Sequence, residues 1–146
     1  MSVEKPTIRV LYITVDSCTQ DRVTSLTGTL NATHDLALVS CGGIQDALGL
    51  CAALHPDVVL MDVPVPDLND VRIVQAIRSQ NQQTRVLVLS HSDEPHRVRA
   101  MLGGGASGYL LRQFDWADLA VSIRAVHSGT VICSSAVIRA LTQPRT

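Results

Sequence analysis

The sequence predicts a doubly wound α/β fold, an open parallel sheet with helices packed on both faces. Three observations carry that expectation. Short runs of Val, Ile and Leu recur at strand length and alternate five times with segments whose apolar residues fall at helical spacing. The connections between them are short and punctuated by Pro and Gly. The run Val58-Val59-Leu60-Met61 is followed at once by Asp62 and then by Pro64 and Pro66. It reads as a strand buried on both faces that stops at a carboxylate, because the prolines forbid continuation into a helix.

The elements follow in order. Residues 7–13, rich in Ile, Val and Leu, form a first strand. Asp16 or Ser17 is placed to cap a helix running to about Leu30. Residues 35–40 form a second strand, and Gly42-Gly43 turns the chain into a helix carrying Ile44, Ala47, Leu48, Cys51 and Leu54 on one face. His55-Pro56 ends that helix, since a residue before proline avoids the helical region. The third strand spans 57–61, and the helix after it turns Val71, Val74 and Ile77 inward. Residues 84–89 make a fourth strand and 94–102 a short Arg-bearing helix, ended by Gly103-Gly104-Gly105. A fifth strand covers 107–111 and a fifth helix 115–127, with Leu119, Ile123 and Val126 on one face. Residues 130–133 are extended, and Ser134 caps a brief helix that ends before Pro144. Right-handed crossovers leave few arrangements for such a chain. The best fit is a flavodoxin-like five-stranded parallel sheet of order 2-1-3-4-5.

Composition narrows the function classes. The chain has 146 residues, 46% hydrophobic and 17% charged, with a net charge of -1. One domain with a substantial core is expected, and the lack of basic excess argues against nucleic-acid binding by this segment itself. No apolar stretch approaches membrane-spanning length, and the polar opening residues 1–6 lack a signal-peptide core, so a cytoplasmic location is expected. Cys18, Cys41, Cys51 and Cys133 are widely spaced, which reads as four reduced thiols, with a disulfide or metal set as the minor alternative, and the five histidines lack metal-ligand spacing. No glycine-rich nucleotide-binding fingerprint supports a small flavodoxin-like enzyme.

In the expected topology the carboxyl ends of four strands surround one crevice. The third strand delivers Asp62, the fourth Ser90 and the fifth Arg112, while the first delivers Thr14 and Val15, with Asp16 one step further on. A carboxylate, a hydroxyl and a cation on one edge could hold a phosphoryl group, the carboxylate acting as nucleophile. At this point the chain resembles the receiver domain of two-component response regulators of the NarL/FixJ type. The resemblance rests on residues 56–62 (PDVVLMD), 84–90 (TRVLVLS) and 105–112 (GASGYLLR), and it extends over about 7–141. It implies that Asp62 is the position phosphorylated by a histidine kinase, that the Ser90 hydroxyl moves toward the phosphate, and that Tyr109 is a switch residue whose rotamer alters the face around the fourth helix and fifth strand.

The chain also departs from that pattern. Members carry an acid pair at the end of the first strand that holds magnesium, whereas Thr14-Val15 stands there. Valine offers no ligand and threonine one neutral oxygen, a poor set for a hard cation, so no cofactor is expected. Asp16 rescues the site only if the strand end shifts by one residue; otherwise it is a helix cap. Arg112 replaces the family lysine, and a guanidinium does not orient as an ammonium does. Without a metal between them, Arg112 and Asp62 are placed to form a direct salt bridge.

The expectation is therefore a non-enzymatic, atypical receiver that signals by dimerisation, partner binding or small-molecule binding instead of magnesium-dependent phosphorylation. The alternative is a conventional phosphoacceptor at Asp62. Val23, Leu26, Trp116, Leu119 and Ile123 are candidates for a homodimer seam, against a plain core role. Residues 1–6 are expected to be disordered or extended, 7–129 to form the receiver, and 130–146 to be a C-terminal extension and the start of a linker to an output domain absent from this chain, through which alone DNA would be bound.

Overall fold

The computed structural model describes residues 7–15, 20–32, 34–112 and 116–142, and the side chains of all of these except 20–23, 31, 116 and 117. In chain order the elements are β1 (Ile8–Thr14), α1 (Gln20–Asn31), β2 (Leu36–Gly43), a 3-10 turn (Ile44–Asp46), α2 (Ala47–Leu54), β3 (Val58–Asp62), α3 (Leu68–Gln80) and β4 (Arg85–Ser90). They continue with α4 (Pro95–Gly103), β5 (Gly108–Leu111), α5 (Trp116–His127), β6 (Ile132–Cys133) and α6 (Ser135–Thr142). The sheet order is β2-β1-β3-β4-β5-β6, and every pairing is parallel.

The order of the first five strands is the one read from the sequence. The count is corrected from five to six, because the extended stretch after α5 pairs with β5 through Ile132 and Cys133. Two residues are too few to register as a periodic strand; their strand character comes from the open edge of β5 beside them.

The alternation of side chains along each strand builds two cores. Leu11, Ile13, Val59, Met61, Val86 and Val88 face one side, where α2, α3, α4 and α6 bring Cys51, Val74, Met101 and Val137. Val10, Tyr12, Leu60, Leu87 and Leu89 face the other, against Leu26 and Leu30 of α1 and Leu119, Ile123 and Val126 of α5. All five residues of β3 are buried, as a central strand covered on both faces requires.

Leu26, Leu119 and Ile123, candidates for a dimer seam, are each 0% exposed within this chain's own core. That expectation is corrected for these three: an apolar helical stripe faces the sheet first, and no side-chain surface is left over. The side chains of Val23 and Trp116 lie outside the described set.

Two local readings also change. Gly42 and Gly43 belong to β2 and do not form the turn. A Cβ on Gly42 would stand 2.3 Å from Leu50 Cδ1, so glycine here permits the close approach of α2 to the strand. Cys41 is disulfide-bonded, which corrects the expectation of four reduced thiols. A disulfide depends on proximity in space, which spacing along separate elements does not reveal. Cys51 and Cys133 are free, and Cys18 lies outside the described residues.

The helix ends follow their residue chemistry. His55 closes α2 in the left-handed conformation, at φ 48°. Asp67 and Asp70 form a reciprocal capping box at the start of α3, each carboxylate accepting from the other's backbone N–H at 3.0 and 2.9 Å. Burial raises the Asp70 pKa above its ordinary value, partly offset by the Asp67 N–H bond. Gly105 leaves α4 at φ +116°, which favours glycine.

Candidate functional site

The carboxyl ends of β1, β3, β4 and β5 do meet at one edge. Asp62 ends β3, lies level with Thr14 of β1 in the strand register, and is 1% exposed. A charged group so deep requires partners of its own. Arg112, which follows β5, places Nη1 3.2 Å from Asp62 Oδ1. On the other side the Tyr12 hydroxyl donates to Asp62 Oδ2. Tyr12 is itself buried and sits two residues before the end of β1. It shares the face of Leu60 and Asp62, and its long phenol reaches along the strand to the carboxylate. Oδ2 is thus hydrogen-bonded by a phenol, while Oδ1 lies in ionic contact with a guanidinium.

The direct Asp62–Arg112 pair expected from the residue types is present. Tyr12 was not among the residues singled out from the sequence. In an apolar strand an aromatic reads as core, and its signal was only its even spacing from the strand's last residue.

The other pocket residues are placed as follows. Thr14 is buried and Val15 is 53% exposed, so the end of β1 offers one hydroxyl and one apolar side chain. Asp16 lies outside the described residues. Ser90 is buried; its hydroxyl donates to the Pro64 carbonyl at 3.0 Å and accepts from the Ser92 N–H at 3.0 Å. Tyr109 is turned inward and fully buried, and its hydroxyl donates to the Ser92 carbonyl at 2.6 Å. Burial raises the pKa of its phenol, against a hydrogen bond to Ser90 and the nearby Arg97, which lower it. Ser90, Ser92 and Tyr109 therefore form one hydrogen-bonded set that ties the start of the β4–α4 loop to β5.

Arg97 bridges neighbouring segments, donating to the Pro66 carbonyl at 2.6 Å and lying 3.5 Å from Glu94.

Among the described residues the donor set at this edge is a poor one for magnesium. A hard cation seeks several oxygen ligands, mostly carboxylate. Here Thr14 offers one neutral oxygen, Val15 none, and Asp62 already has the Tyr12 phenol at Oδ2 and the Arg112 guanidinium beside Oδ1. Among the described residues no group of three or more His, Cys, Asp or Glu is arranged to hold a metal ion. No described helix is long and apolar enough to cross a membrane.

A six-stranded parallel sheet with a buried aspartate and serine and a partly buried arginine at its carboxyl edge defines an α/β domain of the receiver class. The family model described as the response regulator receiver domain matches residues 19–124, and the chain belongs to that family. The transcriptional regulatory protein MctR of Rhizobium johnstonii is 30% identical over 94% of this chain and 64% of its own length. The nitrate/nitrite response regulator protein NarL of Escherichia coli is 28% identical over 64% of this chain and 43% of its own. The chain thus spans between about two fifths and two thirds of the length of these curated relatives. Among solved structures, the signal receiver domain of a NarL response regulator from Mycobacterium tuberculosis superposes with a TM-score of 0.74 at 27% identity. It covers 86% of this chain and 99% of that one. A LuxR-family response regulator from Aurantimonas shares the fold, with a TM-score of 0.79 at 20% identity, over 92% of this chain and 95% of that one.

Proposed function

We propose that this chain is the receiver of a transcription regulator that signals without magnesium-dependent phosphorylation of Asp62, and that it acts as a regulatory module and not as an enzyme. One observation carries this reading: the buried Asp62 carboxylate accepts a hydrogen bond from Tyr12 at Oδ2 and lies in direct ionic contact with Arg112 at Oδ1. Phosphoryl transfer to a carboxylate needs one oxygen free to attack in line and a cation to neutralise the charge that gathers on the phosphoryl oxygens. The nucleophilic oxygen is held in hydrogen-bonded or ionic contact, and the first strand contributes Thr14 and Val15 where acids would bind the cation. The pocket supports a fixed state in which the guanidinium takes the part of the metal as counter-charge.

The regulatory signal then enters elsewhere, through self-association, a protein partner or a small ligand. DNA contact belongs to an additional domain, as the length of the curated relatives suggests. The test is the oligomeric state by sedimentation equilibrium, with and without magnesium and a small-molecule phosphodonor. The expected result is a distribution that neither reagent moves. A phosphodonor-driven shift from monomer to dimer, abolished by Asp62→Asn, overturns the proposal.

A further inference from the structure

We propose that residues 132–142 form a releasable strap on β5 and α4, and that the Asp62–Arg112 ion pair keeps it docked. The proposal concerns how the state of the pocket is read out, and it stands whether or not Asp62 accepts a phosphoryl group.

The strap has few anchors. The Ile132 N–H donates to the Ser107 carbonyl and the Ser134 N–H to the Tyr109 carbonyl, both at 3.1 Å. The Ser134 hydroxyl accepts from the Leu111 N–H at 2.9 Å. Only Val137 of α6 is fully buried, while the next residue, Ile138, is 49% exposed. Arg99 of α4 holds the far end, donating to the Leu141 carbonyl at 3.3 Å. A two-residue edge strand and a helix with one fully buried side chain open at lower cost than the central strands, whose residues are buried on both faces.

The anchors converge on the strand that carries the pocket's cation. Tyr109 and Leu111 of β5 bind the strap through their backbone groups. The next residue, Arg112, donates its N–H to the Ser90 carbonyl at 2.9 Å and its guanidinium to the ion pair. The pair draws the end of β5 toward β3 and so fixes the direction of the Leu111 N–H that Ser134 accepts. Loss of the pair frees that end and weakens the Ser134 contact first, which releases the strap from the β5 edge.

Hydrogen exchange read by mass spectrometry on the intact chain tests this. Arg112→Ala and the near-isosteric Asp62→Asn are each expected to speed exchange in residues 132–142 by about fivefold to a hundredfold, the range of ordinary coupling between sites. Exchange in α2 and α3 stays near wild type. Val137→Ala, which loosens the strap directly, is expected to speed the same residues. The proposal is overturned if Arg112→Ala and Asp62→Asn leave the strap at the wild-type rate, or if they speed α2, α3 and the strap alike. It is also overturned if Val137→Ala leaves the strap unmoved.

Discussion

Removing the Tyr12 hydroxyl is the sharpest test of how Asp62 is held. Tyr12→Phe keeps the ring that fills the core between β1 and the α1–α5 layer, so no cavity is created. What disappears is one hydrogen bond to a carboxylate that is 1% exposed. A hydrogen bond to a charged group contributes about 1.5–3 kcal/mol, and a buried acceptor left without its donor puts the loss near the top of that range. The expected destabilisation is therefore about 2–3 kcal/mol, or a fall in Tm of roughly 5–10 °C for a domain of this size. Tyr109→Phe supplies the comparison, since its hydroxyl donates to the neutral Ser92 carbonyl. Its cost should be about 1 kcal/mol. Equilibrium unfolding in urea, run on both variants and on the Tyr12→Phe/Asp62→Asn double mutant, gives the two losses and their coupling. The coupling between residues 12 and 62 should exceed about 1 kcal/mol. If Tyr12→Phe costs no more than Tyr109→Phe, or shows no coupling to residue 62, the account of a carboxylate held from both sides is wrong.

Three further outcomes follow from the fold. Gly108→Ala puts a Cβ 2.6 Å from Leu87 Cδ1 and 2.7 Å from the Ile132 carbonyl. It should cost about 1–3 kcal/mol, seen as a lower urea midpoint together with faster exchange at the Ile132 amide. Asp67→Ala removes one half of the capping box of α3 and should cost about 1 kcal/mol, measured by thermal unfolding. Burial pushes the Cys51 thiol up to about 11 from 9.0. The folded state thus holds its proton where the unfolded state has lost it, so this stabilisation is complete below pH 9 and declines as pH rises toward 11. Native Cys51 should accordingly resist iodoacetamide at pH 8, while the urea-unfolded chain is alkylated at once.

Much of the architecture was legible because parallel strands buried on both faces leave uninterrupted Val, Ile and Leu runs, as at 58–61 and 86–89. The residues that end those runs were legible for the same reason: Asp62, Ser90 and Arg112 all sit at one edge of the sheet. The Asp62–Arg112 pair could be reasoned from charge alone. Tyr12 could not, because its role depends on the register of β1 against β3, which sets a phenol two residues back on the same face as the carboxylate.

Register and proximity account for the other differences as well. The two residues of β6 acquire strand character only from the edge of β5. Gly42 reads as a turn until the approach of Leu50 is visible. The periodic stripe of Leu119 and Ile123 suits a core and a partner equally in sequence, and burial assigns it to the core.

The central claim is that Asp62 is a structural anchor held by Tyr12 and Arg112 and not an acceptor of phosphoryl groups. Intact mass after incubation with a small-molecule phosphodonor, with and without magnesium, tests it most directly, with Asp62→Asn as control. The account predicts an unchanged mass in every condition. A magnesium-dependent phosphate adduct that disappears in Asp62→Asn contradicts it and makes Asp16 the first residue to examine as the missing metal ligand.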